Sequence, residues 1–308
     1  MFLRILIDVC APIFLIVAAG WGMDRKFRIH LESLVKLNIY LLVPAFIFTR
    51  VVSAELGGGE ALRIAAFTLS TIALMFAGSL AAGRLFGMHR QQRRALSLAA
   101  MFYNCGNYGL PLVILAFGPP AGEVQIFVLA TMNVSTYTIG LLLAQGQGDG
   151  PGSHRRALMK VLRQPTLYAL FAGLACRGLG LPVQHMIWLW QPLDLIQSCL
   201  IGFALLTLGV QMSQTRPEPF RAPLLSAMVL RLLVSPALAV LLVMAFGFSR
   251  EVSAALILAT AAPTAVNTAL LAHEFGGDVP YSTSAVYYTT LISLITTPAL
   301  VYVLKLWL

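Results

Sequence analysis

The sequence predicts an all-α polytopic membrane protein: ten transmembrane helices forming a five-plus-five inverted repeat, with helices 4 and 9 broken at corresponding positions. Three observations carry that expectation. Apolar residues fill 58% of the 308 positions against 11% charged, and mean hydropathy is +0.82, a balance far from that of water-soluble domains. A shift of 160 residues brings the chain into register with itself. Corresponding positions in that register then carry helix-breaking residues inside apolar sequence.

The apolar runs recur at about the 20 residues a helix needs to cross a ~30 Å hydrocarbon layer. The first, 3–22, holds Asp8 and is followed by no small-residue cleavage pattern, so a retained helix is expected rather than a removed signal peptide. It stops before Arg25, Lys26 and Arg28. Spans 2 and 3 follow at 31–51 and 62–83, and a basic loop with Arg84, Arg90 and Arg93 leads into span 4 at 94–117. Span 5, at 123–145, runs into "QGQGDGPGSHRR" (145–156), the longest polar connection. Spans 6 to 10 are read at 164–181, 186–211, 222–246, 252–272 and 282–304. The expected units are therefore 1–145 (spans 1–5), a linker at 146–163, and 164–308 (spans 6–10).

Net charge is +9, but its distribution points to topology and away from nucleic acid. The odd-numbered loops hold Arg25, Lys26 and Arg28; Arg84, Arg90, Arg93 and Arg94; Arg155, Arg156, Lys160 and Arg163; then Arg216 and Arg221. The other loops and tails hold only Arg4, Arg50, Arg63, Arg177, Arg250 and Lys305. By the positive-inside rule the odd loops are cytoplasmic, with both termini outside.

In the 160-residue register, "FGMHRQQRRALSLA" (86–99) falls on "FGFSREVSAALILA" (246–259), pairing Phe86 with Phe246, Gly87 with Gly247 and Arg90 with Arg250. Without a gap, Asn107 then falls on Asn267. Each half has an odd number of spans, so the second enters the membrane inverted, the usual build of secondary transporters.

Gly106, Gly109 and Pro111 weaken span 4, and Pro263 weakens span 9, because proline lacks an amide hydrogen and glycine favours non-helical backbone. Backbone groups freed there cannot face lipid, so the breaks line a cavity or lie within protein. Asn104, Asn107 and Asn267 supply amides that both donate and accept. Each break also exposes the N-terminus of a second half-helix, whose free amide hydrogens and dipole favour an anion, typically a carboxylate.

At these residues the chain resembles the auxin efflux carrier family of membrane transporters. The match rests on "NCGNYGLPL" in span 4, "APTAVNTALLAHEFGGD" (262–278) around span 9 and "STSAVYYTTLISLITTPAL" (282–300) in span 10, and with the ten-span layout it covers nearly the whole chain. The resemblance implies a fold like that of sodium/proton antiporters and bile-acid symporters, with spans 4 and 9 crossing at the centre. It implies a scaffold of spans 1, 2, 6 and 7, against which spans 3–5 and 8–10 move like an elevator, and a homodimer formed through that scaffold. It also implies transport of organic anions, auxin in plants or dicarboxylates such as malate and malonate in bacteria. The short central loop favours the bacterial type and an inner-membrane location. The family's crossover prolines carry over to Pro111 and Pro263, and its polar positions to Asn104, Asn107 and Asn267.

The remaining candidates for the substrate pathway are Tyr103, Tyr108 and Thr264, next to the breaks, and Asn133 in span 5, which aligns with Ser293. Arg231 lies about ten residues into span 8, near mid-membrane, where a charge needs a partner. It either draws the anion into the cavity or pairs with a carboxylate or with helix carbonyls. Asp8 and Asp194 lie near outer helix ends as interfacial caps or cation ligands, which leaves a sodium- or proton-coupled symporter as the alternative. Cys10, Cys105, Cys176 and Cys199 read as small buried hydrophobes, and the histidines lack metal-ligand spacing, so no cofactor or metal is expected. No His-Glu-x-x-His or Gly-x-Ser-x-Gly is present, which argues against an intramembrane enzyme.

Overall fold

A chain with no water to bond its backbone satisfies it internally, and helix does this within one segment. Helix dominates the computed structural model, which describes residues 6–54, 57–145, 159, 162–275 and 277–308. In chain order the elements are α1 (Ala11–Phe27), α2 (Leu31–Ser53), α3 (Gly58–Leu85), α4 (Arg90–Met101), α5 (Cys105–Phe117), α6 (Pro119–Ala144), α7 (Pro165–Gly178), α8 (Ile187–Gln214), α9 (Ala222–Phe246), α10 (Arg250–Thr260), α11 (Val266–Glu274) and α12 (Val279–Trp307). Six of them, α2, α3, α6, α8, α9 and α12, are each long and apolar enough to cross a membrane. The protein is thus an all-helical, polytopic membrane protein. The expected linker at 146–163 lies almost wholly outside the described residues.

Among the described residues, five turns are wound as π-helix: Leu6–Cys10, Asn38–Leu42, Cys105–Gly109, Thr136–Gly140 and Leu230–Val234. Four of the five end two residues before a proline, namely Pro12, Pro44, Pro111 and Pro236. Proline has no N–H to offer the carbonyl four residues back, and its ring crowds that carbonyl, so the preceding turn widens by a residue. The widened turns carry Asn38, Asn107 and Arg231, polar groups in otherwise apolar helices.

One turn is built twice, 160 residues apart. Gly87 and Gly247 take left-handed φ values of 60° and 63°, which only glycine adopts at little cost. The side chains of His89 and Ser249 then cap α4 and α10 by accepting from the amides of Gln92 and Val252, so both helices begin at the paired arginines. They end at Met101 and Thr260.

The interruption of the first segment comes earlier than Gly106, Gly109 and Pro111 suggest. The chain is extended at 102–104, whereas both glycines lie within the π-helical turn behind it and Pro111 follows that turn. The second interruption, at 261–265, contains Pro263.

Small residues set the closest helix contacts. Gly20 of α1 and Gly209 of α8 face each other's helices so closely that a Cβ at either would collide with backbone, at the Leu206 and Val17 carbonyls. Gly173 likewise lets α7 approach Val51 of α2. α3 packs against α4 and α6, and α9 against α10 and α12. Among the cysteines, Cys105 is buried, but Cys176 is half-buried and Cys199 exposed, on faces of α7 and α8 not covered by protein. The side chain of Cys10 lies outside the described residues.

Candidate substrate site

The two extended breaks lie side by side and bond as a minimal antiparallel pair. Tyr103 stands opposite Thr264, the Asn104 amide donates to the Pro263 carbonyl at 2.7 Å, and the Ala265 amide donates to the Phe102 carbonyl at 2.9 Å. Backbone groups that lost helical partners in mid-protein thus satisfy one another. Thr264 closes the remaining gaps: its hydroxyl donates to the Ala99 carbonyl at 3.1 Å, and its amide donates to the Thr289 hydroxyl at 3.1 Å.

Arg231 is fully buried behind this junction. Its guanidinium donates to the Ala100 carbonyl, near the end of α4, and at 2.6 Å to the Thr260 carbonyl, the last of α10. It also bonds the Ser235 hydroxyl and lies over the Tyr103 ring, 4.9 Å from its centroid. One cation therefore sits at two helix C-termini, where the dipoles and unsatisfied carbonyls are negative.

On the other side of the junction a cavity of about 110 Å³ opens. Of the candidates read from the sequence, Tyr103, Asn104, Gly106, Asn107, Asn133 and Asn267 line it. Tyr108, Pro111, Pro263, Thr264 and Arg231 do not. Tyr108 instead reaches α12, its hydroxyl donating to Thr297 Oγ1 at 3.1 Å. Of the described residues lining the cavity, none is charged.

Sequence reasoning missed the opposite wall. Asn38 of α2, Gln164 and Thr166 at the start of α7, and Gln211 of α8 face the cavity across from the breaks. Asn38 Nδ2 donates to Asn107 Oδ1 at 2.6 Å. The available signal was a shared local pattern, an asparagine a few residues ahead of a proline in an apolar helix, in "NIYLLVP" as in "NYGLP".

Several polar atoms around the cavity are buried without a partner: Asn104 Nδ2, Asn38 Oδ1 and the Tyr103 hydroxyl. Burying such groups unpaired costs about 1–3 kcal/mol each. The Asn104 side chain otherwise caps α5, its Oδ1 accepting from the Asn107 amide at 3.1 Å. α5 and α11 both begin at the junction, so the N-termini of two half-helices flank the cavity.

A family model described as "Membrane transport protein" matches residues 5–301. An "Uncharacterized transporter" of Methanothermobacter thermautotrophicus is 26% identical over 275 residues, covering 87% of each chain. An uncharacterized transporter of Methanocaldococcus jannaschii is 23% identical, covering 94% of this chain and 95% of its own. A Rhizobium meliloti protein named "Putative malonate transporter" is 23% identical, covering 96% of this chain and 94% of its own. With a family match over nearly its whole length, the chain belongs to the membrane transport protein family, that of the auxin efflux carriers, and is a multi-pass membrane transporter and not an enzyme.

Proposed function

We propose that the protein is a secondary transporter of small organic anions, carboxylates of the malonate or malate kind, working by elevator-type alternating access. The observation that carries this reading is the cavity itself: two half-helix N-termini converge on uncharged, amide-lined space. Amide hydrogens and positive dipole ends are what a carboxylate binds in the absence of a cationic side chain. The substrate contacts are Tyr103, Asn104, Gly106, Asn107, Asn133 and Asn267, with Asn38 and Gln211 on the facing wall. The relative named for malonate lends weight to the dicarboxylate class.

The inverted-repeat reading is supported by helix pairings that survive exchange of the halves 1–145 and 164–308. α1 packs on α8 as α7 packs on α2, and α3 packs on α4 as α9 packs on α10. In that reading α4 with α5, and α10 with α11, are the crossover helices, and α1, α2, α7 and α8 are the scaffold through which two copies pair. The loop charges favour an orientation with both termini outside, and the likeness to bacterial-type carriers favours the inner membrane. The alternative, a sodium- or proton-coupled symporter of the same fold, would call for a strong cation ligand, and among the described residues no acidic side chain lines the cavity.

The test is to reconstitute the protein and record charge movement on a solid-supported membrane after jumps in malonate, malate, succinate and indole-3-acetate, with pH and sodium clamped. Currents or labelled counterflow for a carboxylate, lost in folded Asn107→Ala and Asn267→Ala variants, are expected. Strict dependence on sodium or on a pH gradient would favour the symporter. No movement of any carboxylate by either method would overturn the anion reading.

A further inference from the structure

Resting on that reading, we propose that the site carries its substrate with a single net negative charge, as a monocarboxylate or a half-protonated dicarboxylate, and that Arg231 sets this limit from behind the cavity. The charges on the two sides of the junction can be counted.

Behind it, α4 and α10 end with their carbonyls toward the junction, each helix end carrying roughly half a negative elementary charge. Arg231 donates to carbonyls of both ends, and its guanidinium stays protonated. Its partners among the described residues are carbonyls, a hydroxyl and an aromatic ring, with no carboxylate. One positive charge thus stands against two half-charges, and the rear of the site is electrically closed. Without Arg231, two negative helix ends would stand uncompensated behind the junction.

In front of the junction, α5 and α11 begin at the cavity, and the positive end of each helix dipole contributes roughly half a positive charge there. The Asn104 Nδ2 group, whose residue is 7% exposed, and the Tyr103 hydroxyl, whose residue is 1% exposed, are unpartnered donors in the same wall. Together these match one anionic group. A second ionised carboxylate would find uncharged amides, the hydroxyls of Tyr137 and Thr166 and the apolar Val35, Ile39, Val43 and Leu129, with no cation among the described lining residues, and an unpaired charge at that depth is expensive. Among the described lining residues there is no Asp, Glu, His, Lys or Arg, so the charge of the bound state is decided by the substrate.

The test compares counterflow of labelled malonate with that of monomethyl malonate, a permanent monoanion once its one carboxyl has ionised. The pH is held equal on both sides and varied across malonate's second ionisation. Malonate exchange is expected to fall with rising pH in proportion to its monoanion, while half-ester exchange stays level. Malonate exchange that holds steady as the dianion takes over, or malonate exchange with no half-ester exchange, would overturn the proposal and leave the anion-transport reading standing. If neither moves, that reading fails and this one with it. Arg231→Lys should keep the half-ester KM within about threefold, and Arg231→Gln should raise it about tenfold or more. An unchanged KM in folded Arg231→Gln would remove Arg231 from the account, and if that variant does not fold, the wild-type pH comparison and Arg231→Lys still decide.

Discussion

Asn38 and Asn107, 69 residues apart in the chain, meet through a 2.6 Å hydrogen bond across the cavity, Asn38 Nδ2 donating to Asn107 Oδ1. With its oxygen so engaged, Asn107 keeps its own amide nitrogen for the cavity, the polarity an anion requires. Asn38→Ala removes that restraint. The expected result is a rise of about fivefold in KM for the transported acid, the worth of about 1 kcal/mol for one hydrogen bond, with the melting temperature nearly unchanged. Counterflow titration beside a thermal melt checks both.

Asn107 and Asn267 stand at equivalent places of the 160-residue register, and both line the cavity. Alanine at either should cut transport at least tenfold without loss of folded protein. If only one of the two matters, anion binding is not shared between the half-helices.

The wide turn at Cys105–Gly109 is attributed to Pro111. Pro111→Ala restores a donor for the Asn107 carbonyl, and should draw the turn toward regular helix and rotate Asn107 away from Asn38. Transport should fall by about tenfold while thermal stability holds or rises, since an interior helix position gains with proline's removal. A coupled loss of both would show that the proline serves the fold and not the site.

At the α1–α8 contact, Gly209→Val should destabilise the protein by about 1–3 kcal/mol, because the neighbour that must move is backbone. Gly22→Ala, on the same helix as Gly20 but with nothing near its Cβ, should be neutral. Melting in detergent separates the two.

Much of the fold is legible in sequence because bilayer thickness dictates it. Apolar runs near 20 residues long, basic loops and one rare repeat of Phe-Gly and Arg need no knowledge of tertiary contacts. Asn107 and Asn267 could be matched for the same reason, since repeat register is a property of the chain, and both line the cavity. Pro111 misled about the position of the break, because a proline acts on the turn before it, and a π-helical turn absorbed that effect while the chain opened at 102–104 instead.

The sequence by itself determined that this is a multi-pass, all-helical membrane protein and that two of its apolar segments are interrupted, since both follow from local composition and backbone chemistry. Only the tertiary structure decided that Tyr103 and Thr264 pair across the breaks, that Asn38 and Gln211 form the facing wall, and that Arg231 bonds helix carbonyls behind the cavity. Those relationships join residues far apart in the chain. They depend on how closely the helices pack and on where each helix face turns, which neither hydropathy nor a 160-residue register contains.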